Sequence, residues 1–508
     1  MRLENNQMSA AYPYYAYNKY FATPFYLISL EAWRRGLAVT FSKDIKHFRV
    51  SSNQNDHFFI RSMVVDPELG VRARMICKFK DETKEYLSKA NVPVPAGRRF
   101  VPGVPDEDII RFAEQAGFPV VLKPTDGYRG EGVFTNISDV ATLKEYLLYL
   151  RQELKYNDVI IEKHVQGDDL RIFVLGDDAV AALKRVPANV CGNGRDTIEE
   201  LIHNKNELRK KNPYLCRWPI KVDSEILNSI KQAGYYLNSV PKEGEILYLR
   251  GKCNIATGGD SVDVSGEIPE QVRNTAIQAV KAIPGLSHAG VDIMFCMNQS
   301  NSRAMVIEIN ALAAIGLHHY PSFGKPNDIA SALIDHYFPE STGAKQQNRF
   351  VFYDPMRLRD TLMKNPKTEI TLPALPLEKM IRREITLSGR VQGVGFRKWA
   401  EKQAMKMNLS GYIENQDRNS VRIVVAGEAE QVKTFETLCK TGPDKARITN
   451  ISTKDNDFPI IHGFRIIRKK NALLAKAMHL THAIYRRLAL IKKRYVPSMA
   501  VLAGRKIE

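Results

Sequence analysis

The sequence predicts an α+β protein with several domains. Its 508 residues exceed what one hydrophobic core usually organises, so two or three domains are expected. Over residues 77–340, segments with helical spacing alternate with β-rich runs without a long gap. A separate unit of about ninety residues, 381–468, has the predicted order strand, helix, strand, strand, helix, strand.

This pattern divides the chain into five parts. Residues 1–76 are predicted to form an N-terminal α/β region, because "LISLEAWRRG" has helical spacing and "LAVTF" follows it as a short strand. The alternating body covers 77–340. Residues 341–380 are polar and then interrupted by prolines, which is typical of a linker. The ninety-residue unit occupies 381–468, and a basic tail covers 469–508.

Composition narrows the class of protein. A hydrophobic share of 44% with a charged share of 26% is typical of a soluble globular chain. No apolar run reaches the roughly 18 residues that span a bilayer, and no signal-peptide pattern is evident. The six cysteines are scattered without a CxxC pair, so neither a disulfide framework nor a zinc site is expected. These features predict a cytoplasmic protein.

The formal net charge of +18 is unevenly distributed. Residues 465–508 carry twelve Lys and Arg against one Glu, so the rest of the chain is only mildly basic and no nucleic-acid partner is expected. Within the tail, apolar side chains recur as one stripe of a cationic helix: Leu473, Ala477, Leu480, Ile484, Leu488 and Ile491. Such a helix suits an anionic membrane surface, docking on the rest of the chain, or an acidic polymer or nucleic acid.

The strongest candidate site in the body consists of acidic and amide side chains on two predicted strands. Asp292 lies at the centre of "GVDIMF", and Glu308 and Asn310 lie two residues apart in "MVIEIN", on one face. Burying such carboxylates among Val, Ile and Met is costly without compensation. Two carboxylates and an amide oxygen on one face suit a hard cation such as Mg²⁺. The alternative is unrelated charges on the open side of a hairpin.

Three weaker features precede that site. Lys123 ends an apolar strand, and the loop "DGYRGEG", which contains Gly130, lets backbone N–H groups approach a polyphosphate. A buried strand then enters "EKHV" at 162–165, whose backbone suits a purine edge. Asp169 follows one turn later and is placed to accept hydrogen bonds from ribose hydroxyls. Taken alone, the glycine-rich loop is more typical of an ordinary turn, and the strand that enters "EKHV" is also compatible with an ordinary hairpin.

The order of these features resembles the ATP-grasp superfamily over residues 77–338. "RVPANVCGNGRDTIEELI" and "NIATGGDSVDV" look like segments of cyanophycin synthetases, and "VIEINALAAIGLHHYPSFGK" is similar to the ATP-grasp domain of bifunctional glutathione synthetases. The resemblance implies a carboxylate–amine ligase that uses ATP and Mg²⁺, with Mn²⁺ as the alternative metal. Its substrates would be a small carboxylate and an amine, such as amino acids or peptides, joined through an acyl phosphate.

The same resemblance implies roles for individual residues. They are nucleotide-phosphate ligands (Lys78, Lys123 and the loop with Gly130), the adenine hinge (Glu162, Lys163, Val165), the ribose ligand (Asp169), the Mg²⁺ ligands (Asp292, Glu308, Asn310) and basic residues facing the acyl phosphate (Arg171, Arg185). One departure concerns the substrate side. The family commonly has Pro-Gly soon after the metal-binding Asn, whereas "NALAAIG" retains only the glycine.

The unit at 381–468 carries "GRVQGVGFR" and, at the expected distance, "SGYIEN". Both motifs resemble acylphosphatase, which implies a ferredoxin-like βαββαβ sandwich that hydrolyses acyl phosphates. Backbone N–H groups between Gln392 and Phe396 would hold the phosphate, Arg397 would bind its oxygens, and Asn415 would orient the attacking water. The alternative is a packing module without turnover. A departure is "DRNSV", where the family usually has glycine before the serine; Asn419 tolerates a left-handed turn there.

Three functions remain in view. The first is an ATP-dependent ligase fused to an acylphosphatase, which would clear escaped acyl phosphates. The second makes acyl-phosphate hydrolysis the main activity, with the ATP-grasp body as a nucleotide-binding regulator. The third is a scaffold that only binds phosphates, which the simultaneous presence of metal-type ligands and a water-orienting amide disfavours. The sequence identifies neither the carboxylate, the amine, a polymeric product nor the oligomeric state.

Overall fold

The computed structural model describes residues 23–125, 132–299, 301–344, 348–364, 369–376, 380–417, 419–456 and 459–467. Two parts of the sequence predictions lie outside the described residues. They are Gly130 of the phosphate loop and the basic tail at 469–508.

The helices within these ranges are α1 (Thr23–Arg34), α2 (Arg72–Lys78), α3 (Lys80–Lys89), α4 (Asp106–Ala116), α5 (Val140–Gln152), α6 (Ile198–Lys211), α7 (Ser224–Gln232), α8 (Glu270–Lys281), α9 (Gly316–His319), α10 (Ile329–Tyr337), α11 (Pro355–Lys364), α12 (Phe396–Lys406) and α13 (Ala429–Thr441).

The strands are β1 (Ala38–Ser42), β2 (His47–Ser51), β3 (Asp56–Ile60), β4 (Met63–Val64), β5 (Gly97–Phe100), β6 (Val120–Pro124), β7 (Phe134–Ile137), β8 (Val159–Lys163), β9 (Asp168–Leu175), β10 (Asp178–Val186), β11 (Asn189–Cys191), β12 (Ile246–Tyr248), β13 (Asp260–Asp263), β14 (His288–Phe295), β15 (Met305–Asn310), β16 (Val351–Phe352), β17 (Glu369–Thr371), β18 (Ile381–Arg390), β19 (Ser410–Asn415), β20 (Ser420–Gly427), β21 (Arg447–Asp455), β22 (Ile460–Ile461) and β23 (Phe464–Ile467).

Residues 60–329 pack as one compact unit. Its largest sheet has the order β13-β10-β9-β14-β15, and each neighbouring pair is antiparallel. Alternate residues of β9, namely Leu170, Ile172 and Val174, enter the apolar core, against which α8 also packs. Because successive strand residues face opposite sides, the residues between them lie on the other face, which carries the charged side chains.

The same unit contains a second, four-stranded sheet with the order β5-β8-β6-β7. Its apolar core includes Ile109 from α4 and Leu143 and Leu147 from α5, packed with Leu122 and Ile161 of the strands. β6 and β8 are antiparallel neighbours, and Lys123 pairs with Ile160 in their register. This sheet therefore places Lys123 and Glu162 on adjacent strands.

Residues 23–59 pack with residues 330–467 in a second unit. There, α1 covers a sheet that contains the order β17-β1-β2-β3. The centroid of the Phe25 ring lies 5.2 Å from that of Phe41 and 4.9 Å from that of Phe48. The segment 341–380, interpreted from its composition as a linker, contains β16, α11 and β17 among its described residues.

The predicted ferredoxin-like sandwich is present in this unit. The order β18-α12-β19-β20-α13-β21 follows the βαββαβ pattern, and the sheet has the order β21-β18-β20-β19-β23. Its apolar core includes Phe396 and Phe435 of the helices with Ile413 and Ile423 of the strands. The predicted α+β class with several domains is therefore confirmed.

None of the described helices is long and apolar enough to cross a membrane.

Candidate active sites

The polar face of the five-stranded sheet brings charged residues from four strands into register. Asp292 on β14 lies opposite Arg171 on β9 and Glu308 on β15. Directly opposite residues of antiparallel strands have Cβ atoms only about 4.5–5.5 Å apart. One row further along, Asp169 lies opposite Arg185 of β10. Residues that are far apart in sequence are thus neighbours on one face.

The arginines on this face are bound to the acidic residues. Arg171 donates to both carboxylate oxygens of Asp292, its Nη2 at 2.8 Å from Oδ2. Arg185 Nη2 lies 3.1 Å from the same Oδ2 and 2.6 Å from Oδ1 of Asp169. Gly290 makes room for this arrangement, since a Cβ there would lie 3.2 Å from Cδ of Arg171.

The two aspartates have opposite electrostatic environments. Burial favours the neutral form of Asp292, but Arg171 and Arg185 outweigh it and lower the pKa of this carboxyl. Burial raises the pKa of Asp169, and the charge of Asp292 adds to that effect beyond what Arg185 offsets. Asp292 is therefore the stable anion of the pair, whereas Asp169, the predicted ribose ligand, takes up a proton more readily.

The predicted metal ligands fit a divalent cation. The Glu308 side chain forms no hydrogen bond or ion pair with the residues that the structure describes, and Nδ2 of Asn310 is buried without a partner among them. Turning that amide over would present its oxygen to the same space. No three His, Cys, Asp or Glu side chains of the described chain form a metal-binding group, and Asn310 is the predicted ligand that adds an amide oxygen to the two carboxylates. To bind a cation, Asp292 must exchange a contact with an arginine.

An open cleft lies beside Glu308. Lys123 Nζ is 2.6 Å from Oε2 of Glu162, and Lys84 Nζ is 3.0 Å from Oε1 of the same carboxylate. Burial alone would raise the pKa of Glu162, but the two lysines outweigh it and lower that pKa. Since Lys80 also lines the cleft, a polyphosphate entering it would meet three ammonium groups.

Sequence reasoning missed Lys80 and Lys84. Lys78, the residue chosen instead, ends α2, is exposed, and has its Nζ 5.2 Å from the centroid of the Phe79 ring. α3 begins at Lys80, and residues four apart share a helix face, so Lys80 and Lys84 face the cleft together. The signal was present in "KDETK", but it requires knowing where the helix begins.

The remaining hinge residues lie at the end of β8. The Lys163 side chain donates to the carbonyl oxygens of Gly117 at 2.7 Å and Phe118 at 3.1 Å. Its backbone N–H donates to Ala96 O at 2.8 Å, and Val165 follows two residues later, partly buried. Lys163 therefore fixes the strand end, while Glu162 turns its carboxylate to the cleft.

A second site lies in the ferredoxin-like sandwich. In the loop before α12, Gly393 and Gly395 have φ angles of 73° and 80°, a backbone conformation that favours glycine. Within the described residues, the backbone N–H groups of 392–396 have no hydrogen-bond partner. Arg397, in the first turn of α12, forms no ion pair or hydrogen bond with the described chain either. Loop, helix terminus and guanidinium thus supply uncommitted donors for an anion.

Asn415 is held beside this loop by Gln392. Nδ2 of Asn415 donates to Oε1 of Gln392 at 2.9 Å, and Nε2 of Gln392 donates to the carbonyl oxygens of Asp417 and Ser420. Oδ1 of Asn415 is buried and has no partner among the described residues. This free acceptor is what a residue that orients a water requires. The role of Gln392 in holding Asn415 could not be seen in the sequence, because the contact spans 23 residues.

Known families match a part of each unit. Residues 80–198 match the RimK-like ATP-grasp domain, and residues 383–466 match acylphosphatase. The chain carries both domains. The predicted resemblances are therefore confirmed.

Among the relatives of the ATP-grasp part, cyanophycin synthetase of Geminocystis herdmanii is 35% identical over 269 residues, covering 52% of this chain and 30% of that protein. The glutathione biosynthesis bifunctional protein GshAB of Enterococcus faecalis is 32% identical over 275 residues, covering 52% and 36%. The crystal structure of acylphosphatase from Bacillus subtilis matches at 31% identity, covering 17% of this chain and 99% of that one, with a TM-score of 0.17. The chain spans about a third of the length of these curated relatives.

The two matched ranges include some of the predicted site residues and leave out others. The RimK-like range includes Lys123, Glu162 and Arg171 but stops before Asp292. ATP-grasp ligases use ATP and a divalent metal ion, and the fit of Glu308 and Asn310 to a cation agrees with that requirement. The acylphosphatase range includes the whole phosphate loop together with Asn415.

Gln392→Ala is expected to lower kcat of the acylphosphatase domain about fivefold to tenfold with little change in KM. The loss of one hydrogen bond leaves Asn415 without its anchor, whereas the phosphate-binding N–H groups remain. Steady-state hydrolysis of benzoyl phosphate measures both constants. A loss confined to KM, with kcat unchanged, would argue against this anchoring role.

Proposed function

We propose that the chain is an ATP- and Mg²⁺-dependent carboxylate–amine ligase fused to an acylphosphatase. In the first half-reaction, a carboxylate oxygen attacks the γ-phosphorus of ATP, giving an acyl phosphate and ADP. An amine then displaces phosphate and loses a proton, which leaves an amide. Amino acids or short peptides are the proposed substrates, by analogy with the relatives named for cyanophycin and glutathione synthesis.

One observation carries the ligase proposal. Lys80, Lys84 and Lys123 line the same cleft as Glu308, so the groups for phosphate and for metal are adjacent. The lysines would hold the ATP phosphates by charge, and Glu308, Asn310 and Asp292 would hold the cation. When bound, a divalent cation there supplies neutralisation of charge at the transferred phosphoryl group.

The arginines on the sheet face would act at the acyl phosphate. Arg171 is buried and Arg185 half-buried beside Asp292, and a guanidinium stays charged at physiological pH. A buried guanidinium binds a planar carboxylate or a phosphoryl group through two parallel hydrogen bonds. In this proposal they orient the carboxylate toward ATP and then stabilise the acyl phosphate until the amine attacks.

In the acylphosphatase domain, the free N–H groups of 392–396 and Arg397 would bind the phosphoryl group. Asn415 Oδ1 would accept a hydrogen bond from water and direct its oxygen at the substrate. An acyl phosphate is already activated, so positioning and charge stabilisation suffice without a nucleophilic side chain. The domain would clear acyl phosphates that escape the ligase. A cytoplasmic location remains a prediction from composition.

Release of ADP tests the proposal. Purified full-length protein with ATP and Mg²⁺ is expected to release ADP in response to a particular carboxylate and amine from a panel of amino acids and short peptides. Omitting Mg²⁺ should stop the release. If no member of the panel stimulated ADP release while benzoyl phosphate was hydrolysed rapidly, acyl-phosphate hydrolysis would be the main activity.

A further inference from the structure

His318 is a buried polar side chain with no role so far. It belongs to α9, is 1% exposed, and its Nδ1 has no hydrogen-bond partner among the residues that the structure describes. A buried polar atom without a partner costs free energy, so its retention calls for an explanation. The hydrogen bonds of a ligand are one such explanation.

The imidazole lies over the polar face of the five-stranded sheet. Phe173 is two residues after Arg171 on β9 and therefore shares its face. The His318 and Phe173 rings meet edge to face, with 6.1 Å between ring centroids and 65° between the ring planes. In register, Phe173 lies opposite Gly290, and Gly290 lies opposite Asn310. Phe173, Gly290 and Asn310 thus form one row across three strands, next to the row that contains Arg171 and Asp292. His318 lies at the Phe173 end of that row.

The backbone of His318 is fixed from a neighbouring strand. Its carbonyl oxygen accepts a hydrogen bond from the Asn327 N–H at 2.9 Å. The Asn327 side chain donates to Oδ1 of Asp263, also at 2.9 Å, and Asp263 is the last residue of β13. The position of the ring is therefore built by contacts that do not involve its own nitrogens.

The surroundings also define the charge of the ring. Burial, the charge of Arg171 and the neighbouring His319 together lower the pKa of His318 to about 3. A neutral imidazole carries one N–H donor and one acceptor. Nδ2 of Asn310, on the same row, is likewise buried without a partner in the described chain. Both nitrogens, on the face of the sheet that carries Arg171, thus have no hydrogen-bond partner in the described chain.

We propose that His318 contacts the carboxylate substrate of the ligase, its Nδ1–H donating to an oxygen of the carboxylate and of the acyl phosphate formed from it. This inference rests on the proposed ligase function. Arg171 would attract the anion, and the neutral imidazole would add a directed hydrogen bond to the acyl group. His318 would be a substrate-binding residue of the acyl side, and no proton or bond changes place at the ring.

His318→Leu is expected to lower kcat/KM for the responding carboxylate about 10²-fold, the loss typical of one donor aimed at a reacting oxygen. The KM for ATP should stay unchanged, because the lysine cleft is untouched. His318→Asn should recover most of the loss, since its amide nitrogen takes the place of Nδ1. ADP release measures these constants, and trapping with hydroxylamine in the absence of amine measures the acyl phosphate.

His288 supplies the matched control. It is also 1% exposed and on the same sheet, but its Nε2 is hydrogen bonded to Ser62 O at 2.5 Å. His288→Leu should lower the unfolding temperature without changing kcat/KM of the folded enzyme. Wild-type turnover by His318→Leu would overturn only the inference, as would failure of His318→Asn to recover activity. Absence of ADP release by the wild type with every carboxylate would contradict the proposed function and, with it, this inference.

Discussion

Arg397→Ala is expected to lower hydrolysis of benzoyl phosphate by about 10²- to 10³-fold, the loss typical when one stabiliser of transition-state charge is removed. Arg397 stands in the first turn of α12 beside N–H groups that have no partner in the described chain. It supplies the charge of this phosphate site, whereas the N–H groups supply only dipoles. Absorbance assays of benzoyl phosphate under steady-state conditions give the rate.

Lys398→Ala is the matched control for this variant. Lys398 is the next residue of the same helix and is exposed, so its replacement removes the same charge from the surface alone. It should leave hydrolysis unchanged, and ADP release by the ligase should be unchanged in both variants. Loss of both activities in Arg397→Ala would contradict independent sites.

Arg397→Ala also tests whether the acylphosphatase domain clears acyl phosphates. With amine withheld and hydroxylamine added, Arg397→Ala should accumulate more hydroxamate than the wild type, because escaped acyl phosphate is no longer hydrolysed. An equal yield in the two proteins would mean that the sites share no intermediate.

Glu308→Ala is expected to reduce Mg²⁺-dependent ADP release at least about 10³-fold, since a metal ion supplies several kcal/mol of stabilisation to phosphoryl transfer. Glu308 lies opposite Asp292 in register and lines the lysine cleft, whose other carboxylate, Glu162, is paired with Lys84 and Lys123. Coupled detection of ADP measures the effect, and a titration with Mn²⁺ measures the weakened metal affinity directly.

Glu243→Ala serves as the comparison for Glu308→Ala. Glu243 is an exposed carboxylate of the same unit, and its removal changes the net charge equally. It should have no effect on ADP release. Hydrolysis of benzoyl phosphate should continue in both variants. Unimpaired ligase turnover in Glu308→Ala would show that this residue is not a metal ligand.

Local patterns were sufficient to predict much of this architecture. Alternation of apolar and polar residues placed Asp292 on a buried strand and Glu308 with Asn310 on one face. The strand and helix order of 381–468 was predicted because each element there is short and ends at a turn. These predictions depend only on residues that are neighbours in sequence, and the structure has the same strands and helices.

Contacts between distant residues were beyond local patterns. The binding of Asp292 by Arg171 spans 121 residues and depends on strand register, which no local spacing specifies. Lys80 lines the cleft whereas Lys78, two residues earlier, ends the preceding helix, and local spacing does not specify where α3 begins. His318 has no signature at all in the sequence, because an unpartnered nitrogen is recognised only after its surroundings are known.

The unit that contains the ferredoxin-like sandwich is assembled from two separate stretches of chain, and this affects its synthesis on the ribosome. Nε1 of Trp33 on α1 donates to Pro373 O at 2.7 Å, and β1 pairs with β17. Pro373 and β17 emerge only after residues 60–329 have been translated, which takes roughly 14 to 54 s at 5–20 residues per second. Meanwhile, Tyr26 and Trp33, whose rings pack on Tyr353 in the finished protein, await that contact. A nascent chain stalled before residue 351 would therefore expose an apolar helix for chaperones to bind.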